Sequence, residues 1–410
     1  MLRFIFFKGL YSTLDLYTDE MLRICRERGY EAFVLHTTYG EDTACEHIDE
    51  KQEKAEREKL LCFLKKPVTA AIGFGNMGLR YEMDGIGNVW DAYGVPYIDV
   101  MMDHPFHFSG IFRYAAKNTT LLCPDRNHVK YIRRFFPEIA RTEFLPHAGM
   151  EPAGEKKPIR ERSIEVLYAG GLSRGVVGHM VPDLNGFSDF DADRLTQNVL
   201  DDLLHHPYKT TEAAIEEYLK GIGIFYPDKV LREVIRKLRF LDSYITSFFR
   251  EMTVKLLVES GVKVTLYGAG WDVCDWIDHP NLDYRGVIPA QEIPELMTDA
   301  KIVLNTMTWF KDGSHDRVFN GMLAGAVVVS DTSGYMKETF TDGRELVFFE
   351  LERLGELPER VRELLADEHR LQQIADCGYA AASEHHRMEN RFDEILRRIL
   401  NGVYSSRDEI

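Results

Sequence analysis

Short apolar runs alternate with amphipathic stretches along the whole chain. Apolar runs bounded by turn residues predict buried strands, and stretches with apolar residues three and four apart predict helices. The strands expected in the first half are Arg3–Phe7, Ala32–His36, Val68–Gly73, Tyr97–Met101, Thr120–Cys123 and Thr142–Leu145, with helices at Leu14–Arg28 and Ile48–Leu64. This alternation is typical of α/β units on a parallel sheet.

A stretch from Pro146 to Arg162 interrupts the alternation with prolines, glycines and charged residues, which is the composition of a linker. We therefore expect an N-terminal Rossmann-like domain over 1–150 and a second Rossmann-like domain over 163–385. The segment 386–410 is expected to be a helix that packs back on the first domain.

The second half resumes the pattern and adds a block without strand signals. Strands are expected at Ile164–Ala169, Val262–Tyr267, Leu282–Arg285, Ile302–Asn305 and Ala326–Ser330, with helices at Glu292–Asp299 and Arg317–Leu323. The block from Asp189 to Glu259 is predicted to be a helical insertion that serves as a lid. The tail Leu354–Arg398 is predicted to be helical, with a weak point at Cys377-Gly378.

These patterns predict an α/β fold in which two Rossmann-like domains face each other across a cleft. Ligands of doubly wound sheets bind outside the carboxyl ends of the strands, where the strand order reverses. The loops that follow the strands are therefore the first place to look for chemistry. One of them, Gly73–Gly78, lacks the spacing of a dinucleotide-binding loop and is interpreted as a turn.

Composition narrows the class of protein. The 410 residues include 50 Lys plus Arg and 66 Asp plus Glu, for a formal net charge of −16, and no long basic stripe that would bind nucleic acid. No apolar run is long enough to span a membrane. The six cysteines are scattered without a C-x-x-C pair, which favours reduced thiols in the cytoplasm over disulfides or a zinc site.

The polar loop Lys311–Arg317 leads into a predicted helix and is the clearest candidate site. A helix start presents backbone N–H groups and a partial positive charge, so it can hold a diphosphate, with Arg317 or His315 neutralising it. The alternative is structural: Asp316 caps the helix and Arg317 pairs with Asp316.

Four motifs support a more specific interpretation. They are Tyr267–Gly286, Ala300–Asn305, His315–Gly325 and His386–Arg391. Together they resemble the C-terminal domain of GT-B glycosyltransferases, in particular the CgeB-like branch named for a spore maturation protein. The resemblance covers about residues 163–400 and, in the first half, the strand pattern and Asp103-His104-Pro105.

The resemblance implies a glycosyltransferase whose donor is a nucleotide-sugar, with UDP as the expected nucleotide and no separate cofactor. The implied acceptor is a cell-surface polymer or another glycan, a protein or a small molecule. The resemblance also implies that 1–150 is the acceptor-side domain and that 163–385 is the nucleotide-sugar-binding domain. In retaining members a Glu-x7-Glu motif holds the donor, and this chain has Asp312 and Asn320 at that spacing. The expected donor-binding residues are Gly170, Gly171, Gly268, Gly286, Val287, Asn305, Gly313, Ser314, His315, Arg317, Asn320 and Glu338.

The expected catalytic residues are Asp103, His104 and Arg317. An inverting enzyme needs a general base at the acceptor hydroxyl, for which Asp15, Asp103, His104 and His107 are candidates, whereas a retaining enzyme needs none. Alternatively, Asp103 caps a turn before Pro105. The D-x-D letters at 189–193 fall in the helical block, so we expect metal-independent transfer.

Two rival functions remain open at this stage. One is a sugar-nucleotide epimerase on the same fold, although its paired catalytic carboxylates and histidines cannot be located. The other is a nucleotide-sugar-binding protein without catalysis, which the loss of both motif glutamates would favour.

Overall fold

A computed structural model of the chain describes residues 1–36, 50–183 and 187–405. The chain divides into two compact units, Met1–Ala148 together with Arg387–Ile410, and Gly149–His386. The first two residues of the helix predicted over Ile48–Leu64 lie outside the described residues.

The first unit is built on a parallel sheet with the strand order β2-β1-β3-β6-β7-β8. Its strands are β1 (Arg3–Lys8), β2 (Glu31–His36), β3 (Ala70–Phe74), β4 (Glu82–Met83), β5 (Gly87–Asn88), β6 (Tyr97–Val100), β7 (Thr119–Cys123) and β8 (Arg141–Phe144). Its helices in this part of the chain are α1 (Ser12–Glu27), α2 (Glu50–Phe63), α3 (Val89–Tyr93) and α4 (Arg126–Phe135). The pair β4–β5 is a separate antiparallel hairpin.

Strand β1 lies inside this sheet, between β2 and β3. The four consecutive side chains from Phe4 to Phe7 are fully buried. A continuous apolar run is what a parallel strand covered on both faces requires.

The second unit contains a second parallel sheet with a helical insertion. Its strands are β9 (Ile164–Ala169), β10 (Val264–Tyr267), β11 (Leu282–Tyr284), β12 (Ala300–Asn305), β13 (Val327–Asp331) and β14 (Val347–Phe349). Its helices are α5 (Arg174–Met180), α6 (Ala192–His205), α7 (Thr211–Gly221), α8 (Asp228–Lys237), α9 (Phe240–Glu259), α10 (Ile293–Met297), α11 (Asp316–Leu323), α12 (Gly334–Thr339), α13 (Leu357–Ala366) and α14 (Glu368–His385). Short 3₁₀ segments occur in the first unit at Pro105–Phe108 and Phe112–Tyr114. Those of the second unit are Ile159–Glu161, Trp271–Val273, Ala290–Glu292 and Leu351–Glu356.

The strand order of the second sheet is β11-β10-β9-β12-β13-β14. Chain order runs outward from β9 in both directions, so the order reverses between β9 and β12, as in the Rossmann fold. Two parallel sheets, one in each unit, confirm the predicted α/β class and the presence of two Rossmann-like units. Helices α6 to α9 fill the connection between β9 and β10, which confirms that this block is helical.

One prediction about the tail is wrong. Gly378 lies inside α14, and the helices of the tail break instead at Asp367 and at His386–Arg387. A Cβ on Gly378 would lie only 2.4 Å from the backbone oxygen of Glu345. This glycine therefore allows α14 to pack closely on the loop before β14 and does not end the helix.

The last helix, α15 (Met388–Ser405), belongs to the first unit. The Phe392 ring packs on Phe4 and Tyr30, with centroid distances of 5.6 and 6.3 Å. Arg391 Nε donates to the Pro146 carbonyl at 2.7 Å. Within the described ranges, no helix combines the length and the apolar composition that crossing a membrane requires.

Candidate active site

Glycine-rich loops follow β9 and β10 at the carboxyl edge of the second sheet, and they touch each other. Gly170 N donates to the Tyr267 carbonyl at 2.8 Å. Gly268 has a φ of 142°, and a Cβ there would lie 2.3 Å from the Gly170 oxygen. Only glycine fits this approach, because any side chain would collide with backbone. The loops thus place half-buried backbone beside the point where the strand order reverses.

Arg317 reaches across this point from the first turn of α11. Its Nη1 donates to Asn305 Oδ1 at 2.8 Å, and Asn305 in turn donates from Nδ2 to Ser330 Oγ at 2.8 Å. A Cβ on Gly170 would lie 2.7 Å from Arg317 Nη2. The guanidinium therefore lies directly against the loop after β9, and its side chain is held by a buried hydrogen-bond chain that begins at Asn305.

The start of α11 is capped by a residue other than the one anticipated. His315 is the N-cap, and its Nδ1 accepts the Arg317 backbone N–H at 3.2 Å. Asp316 lies 3.0 Å from His315 Nδ1 and accepts a hydrogen bond from Asn320 Nδ2 at 3.3 Å. The structural alternative for Asp316 and Arg317 is therefore wrong, because His315 supplies the cap and Arg317 donates to Asn305. Of the backbone N–H groups that this helix start was expected to present to a diphosphate, that of Arg317 is already bonded to His315.

The loop before α11 is well anchored. Ser314 is fully buried, and Ser333 Oγ donates to the Gly313 carbonyl at 2.6 Å. Lys311 Nζ donates to the Pro207 carbonyl in the insertion. Gly313, Ser314 and His315 therefore have fixed positions at the carboxyl edge.

Arg250 is a second cation at this site. It lies in the helical insertion and was not among the predicted site residues. Its Nη1 donates to the Gly171 carbonyl, and its guanidinium carbon lies 5.0 Å from the centroid of the Trp309 ring. Its Nε is buried without a hydrogen-bond partner among the described residues. Burial, together with the charge of Arg317, lowers the pKa of Arg250. The one available signal was an arginine within the largely apolar stretch of α9.

A buried carboxyl group, that of Asp331, lies next to Ser330 at the end of the hydrogen-bond chain from Arg317 and Asn305. Asp331, at the end of β13, accepts a hydrogen bond from the Met307 backbone N–H at 2.8 Å. Burial raises the pKa of Asp331 to about 7, while the charge of Lys311 opposes the rise. No group of three or more potential metal ligands occurs in the part of the chain that the structure describes.

The insertion contacts the carboxyl edge at several points. Besides Arg250 and Lys311, Tyr208 donates to Glu350 Oε2 at 2.5 Å and accepts from the Leu351 backbone N–H at 3.1 Å. The helical block therefore packs beside the candidate site and not on the opposite edge of the unit.

Other predicted donor residues differ in their availability. Asn320 is 5% exposed, and its Oδ1 accepts the Met150 N–H at 2.8 Å, so its amide already binds the segment after the first unit. Glu338 is exposed on α12. Gly286 accepts the Gly268 N–H at 2.8 Å, and Val287 is 74% exposed. The structure thus brings Gly170, Gly171, Gly268, Asn305 and Arg317 together, and it gives Asn320 a structural bond.

The acceptor-side candidates lie in the first unit. Asp103 is exposed after β6. His104 is 5% exposed and caps the 3₁₀ segment Pro105–Phe108, with Nδ1 accepting the Phe106 N–H at 3.2 Å. Its ring stacks on Phe106 at 3.7 Å and lies 4.4 Å from that of His128. The turn is therefore capped by His104, and the Asp103 side chain is the accessible one.

Comparison with known proteins agrees with this architecture. Residues 247–397 match a family model described as glycosyl transferase-like. A sucrose-phosphate synthase from Thermosynechococcus elongatus is similar over 99% of this chain and 100% of its own, with a TM-score of 0.55 at 8% identity. An alpha-glucosyltransferase solved with UDP and a 13-mer DNA covers 97% and 99%, with a TM-score of 0.56 at 11% identity. No curated protein matches the sequence.

At these identities the two solved structures show the fold, and the family match adds the class of domain. Residues 247–397 thus match a glycosyl transferase-like family model, and the two parallel-sheet units of the chain have the fold of GT-B glycosyltransferases.

Proposed function

We propose that the chain transfers a sugar from a nucleotide-sugar, with UDP as the expected nucleotide, to a glycan, protein or small-molecule acceptor. The observation that carries the proposal is the pair Arg317 and Arg250 at the reversal point of the second sheet, with a buried Arg250 N–H that has no partner among the described residues. Arg317 lies against Gly170 and Arg250 donates to the Gly171 carbonyl, so two guanidinium groups contact adjacent residues of one loop. Such a pair of cations favours binding of an anion.

A diphosphate is the anion that this chemistry calls for. The leaving nucleoside diphosphate gains charge as the glycosidic bond breaks, and donors already fixed in place stabilise that charge best. Asn305 holds Arg317, and the Gly171 carbonyl and the Trp309 ring hold Arg250. These contacts support transfer without a metal, since the two cations can take the role of a divalent ion.

The remaining donor contacts follow from the loops. Gly170, Gly171 and Gly268 would let the diphosphate approach the backbone. The exposed Gly286-Val287 loop would contact the base, and Glu338, exposed on α12, would bind the ribose hydroxyls. Helices α6 to α9 would cover the donor once it is bound, because Arg250 and Tyr208 already place this insertion at the edge.

On the acceptor side we propose Asp103 as the base, if the reaction inverts the configuration. His104 would orient this loop, since its Nδ1 already accepts a backbone N–H. The CgeB-like motifs support a cell-surface polymer as the acceptor, and the scattered cysteines support a cytoplasmic location.

The test combines donor binding with turnover. A panel of nucleotide-sugars is screened by thermal shift, in which a donor at 100 times its Kd should add about 2.7 kcal/mol of stability. The best donor is then assayed for hydrolysis and transfer. Arg317→Ala should lower turnover about 100- to 1,000-fold, and Arg317→Lys should recover only part because the planar fork is lost.

Arg344→Ala is the matched control, since this arginine is 70% exposed on unit two and pairs with Glu345. Glu338→Gln should weaken donor binding without loss of the fold. Normal transfer and donor affinity in Arg317→Ala would refute the assignment. Donor binding without hydrolysis or transfer would favour a binding protein.

A further inference from the structure

A cavity lies at the edge of the second sheet opposite the candidate donor site. It has a volume of about 690 Å³ and is lined in part by Lys156, Lys157, Arg160 and Arg162. Arg162 and Gly325 come just before β9 and β13, so the cavity lies where these strands begin. The candidate donor site lies where the same strands end. The two sites are therefore distinct, and the volume is in the range of small-molecule sites.

The cavity contains a buried cation with uncharged hydrogen-bond partners. Arg162 is 4% exposed, and its guanidinium donates to the carbonyls of Ala300 and Ala324 at 2.8 and 3.0 Å and to that of Lys157 at 2.9 Å. Burial lowers the pKa of Arg162 to about 10, so it remains protonated at neutral pH. Gly325 gives it room, because a Cβ there would lie 3.0 Å from Arg162 Nη2.

Lys157 and Arg160, the two exposed cations that line the cavity, form only weak ion pairs. Lys157 lies 2.6 Å from Asp299 with half of its side chain exposed, and Arg160 lies 3.6 Å from Glu161 with 74% exposed. Exposed pairs of this kind contribute about 0 to 1 kcal/mol, so both cations can turn toward a ligand. Among the lining residues themselves, four Lys and Arg stand against Glu368 and Asp376, and the carboxylates paired with Lys156, Lys157 and Arg160 lie outside the lining at Glu151, Asp299 and Glu161. The whole chain has a net charge of −16.

The other wall supplies partners for hydroxyl groups. Gln372 and Asp376 lie one turn apart on α14, where Gln372 Nε2 donates to Asp376 Oδ1 at 2.8 Å. Tyr379 lies on the same face, where its hydroxyl donates to Glu151 Oε1 at 2.7 Å and can still accept, and Lys156 Nζ lies 3.6 Å from the centroid of its ring. A carboxylate, an amide and a phenol beside cations recognise a molecule that has both hydroxyl groups and a negative charge.

From this geometry we propose that the cavity binds a phosphate ester of a small sugar or polyol. Its phosphate lies among Lys157, Arg160 and Arg162, and its hydroxyls face Gln372 and Asp376. The site is separate from the donor site, and its ligand is neither the proposed donor nor the acceptor.

Calorimetry on the full chain at constant ionic strength tests this site, with ribose 5-phosphate, inorganic phosphate and uncharged ribose as probes. Ribose 5-phosphate should bind, and Lys157→Ala/Arg160→Ala should weaken its Kd at least tenfold. Both side chains are exposed, so the fold should persist. The control pair Lys229→Ala/Arg353→Ala removes two exposed cations elsewhere in unit two and should leave the Kd unchanged, as should Arg317→Ala.

Three results would overturn the proposal. The first is the absence of binding heat with both ribose 5-phosphate and phosphate, and the second is a loss of affinity in the control pair as large as that in the cavity pair. The third is loss of binding in Arg317→Ala, because that would place the ligand at the donor site. Equal affinity for phosphate and ribose 5-phosphate would overturn the recognition of hydroxyl groups. Weakening of ribose 5-phosphate by Asp376→Asn, with phosphate unchanged, would support it.

Discussion

Gly170→Ala should impair donor binding by moving Arg317 without removing its charge. The added Cβ would lie 2.7 Å from Arg317 Nη2 and 3.2 Å from a ring carbon of Tyr168. An ordinary contact needs at least about 3.4 Å, so the guanidinium must move by roughly 0.7 Å. Arg317 Nη1 is meanwhile held at 2.8 Å by Asn305, so the movement strains that bond.

The expected loss follows from this displacement. A misplacement of about 1 Å in a positioned group can cost on the order of 100-fold in rate. Overpacking costs about 1 to 3 kcal/mol, and here the lower end applies because the colliding atom ends a flexible side chain. We therefore expect a folded variant whose donor affinity and turnover fall at least tenfold, measured by calorimetry with the nucleoside diphosphate and by donor hydrolysis.

A double-mutant cycle separates this effect from general damage. If Gly170→Ala acts through Arg317, it should have little further effect in an Arg317→Ala background. Gly178→Ala is the control, because Gly178 lies in α5 of the same unit with nothing within 4 Å of the added Cβ. Undiminished donor affinity in Gly170→Ala, or equal losses in both backgrounds, would refute the reasoning.

Three further substitutions test other parts of the structure. Arg250→Ala should lower donor affinity and turnover about 100-fold in the same assays. Arg174→Ala removes an exposed arginine of α5 and should leave both unchanged, so equal effects of the two variants would contradict a specific role for Arg250. The parent protein should lose stability relative to Asp331→Asn as pH rises from about 4 to 7, because its folded state holds a proton on Asp331 that the unfolded chain releases near the ordinary pKa. A difference in the free energy of urea unfolding that does not change with pH would contradict this. Gly378→Ala should lower the free energy of unfolding by about 1 to 3 kcal/mol, because its Cβ meets backbone, and Gly355→Ala, with open space around it, should not; unchanged melting of both would show that α14 can shift.

The hydrophobic pattern was sufficient to predict most strands, because a parallel strand buried on both faces appears as a short apolar run. It did not reveal β14 or helix α4, whose sequences are short or rich in arginine. Gly378 was misread because a glycine that ends a helix and one that allows close packing look the same without their neighbours.

The candidate site was predictable only in part. Arg317 could be selected because it follows a polar loop at the start of a helix. Arg250 could not, since the pairing of α9 with the loop after β9 depends on contacts 79 positions apart in the chain. The cap at His315 was likewise hidden, because Asp316 is the more usual capping residue.

The first unit is completed by α15, a helix that follows the whole second unit in the chain. During synthesis, β1 to β8 leave the ribosome long before Phe392 can cover Phe4 or Arg391 can reach the Pro146 carbonyl. The second unit is contiguous from Gly149 to His386 and can fold as it emerges. During synthesis the second unit can therefore be folded while the first unit still lacks its last helix. A premature stop before Met388 would leave an apolar surface on the first unit for chaperones to bind.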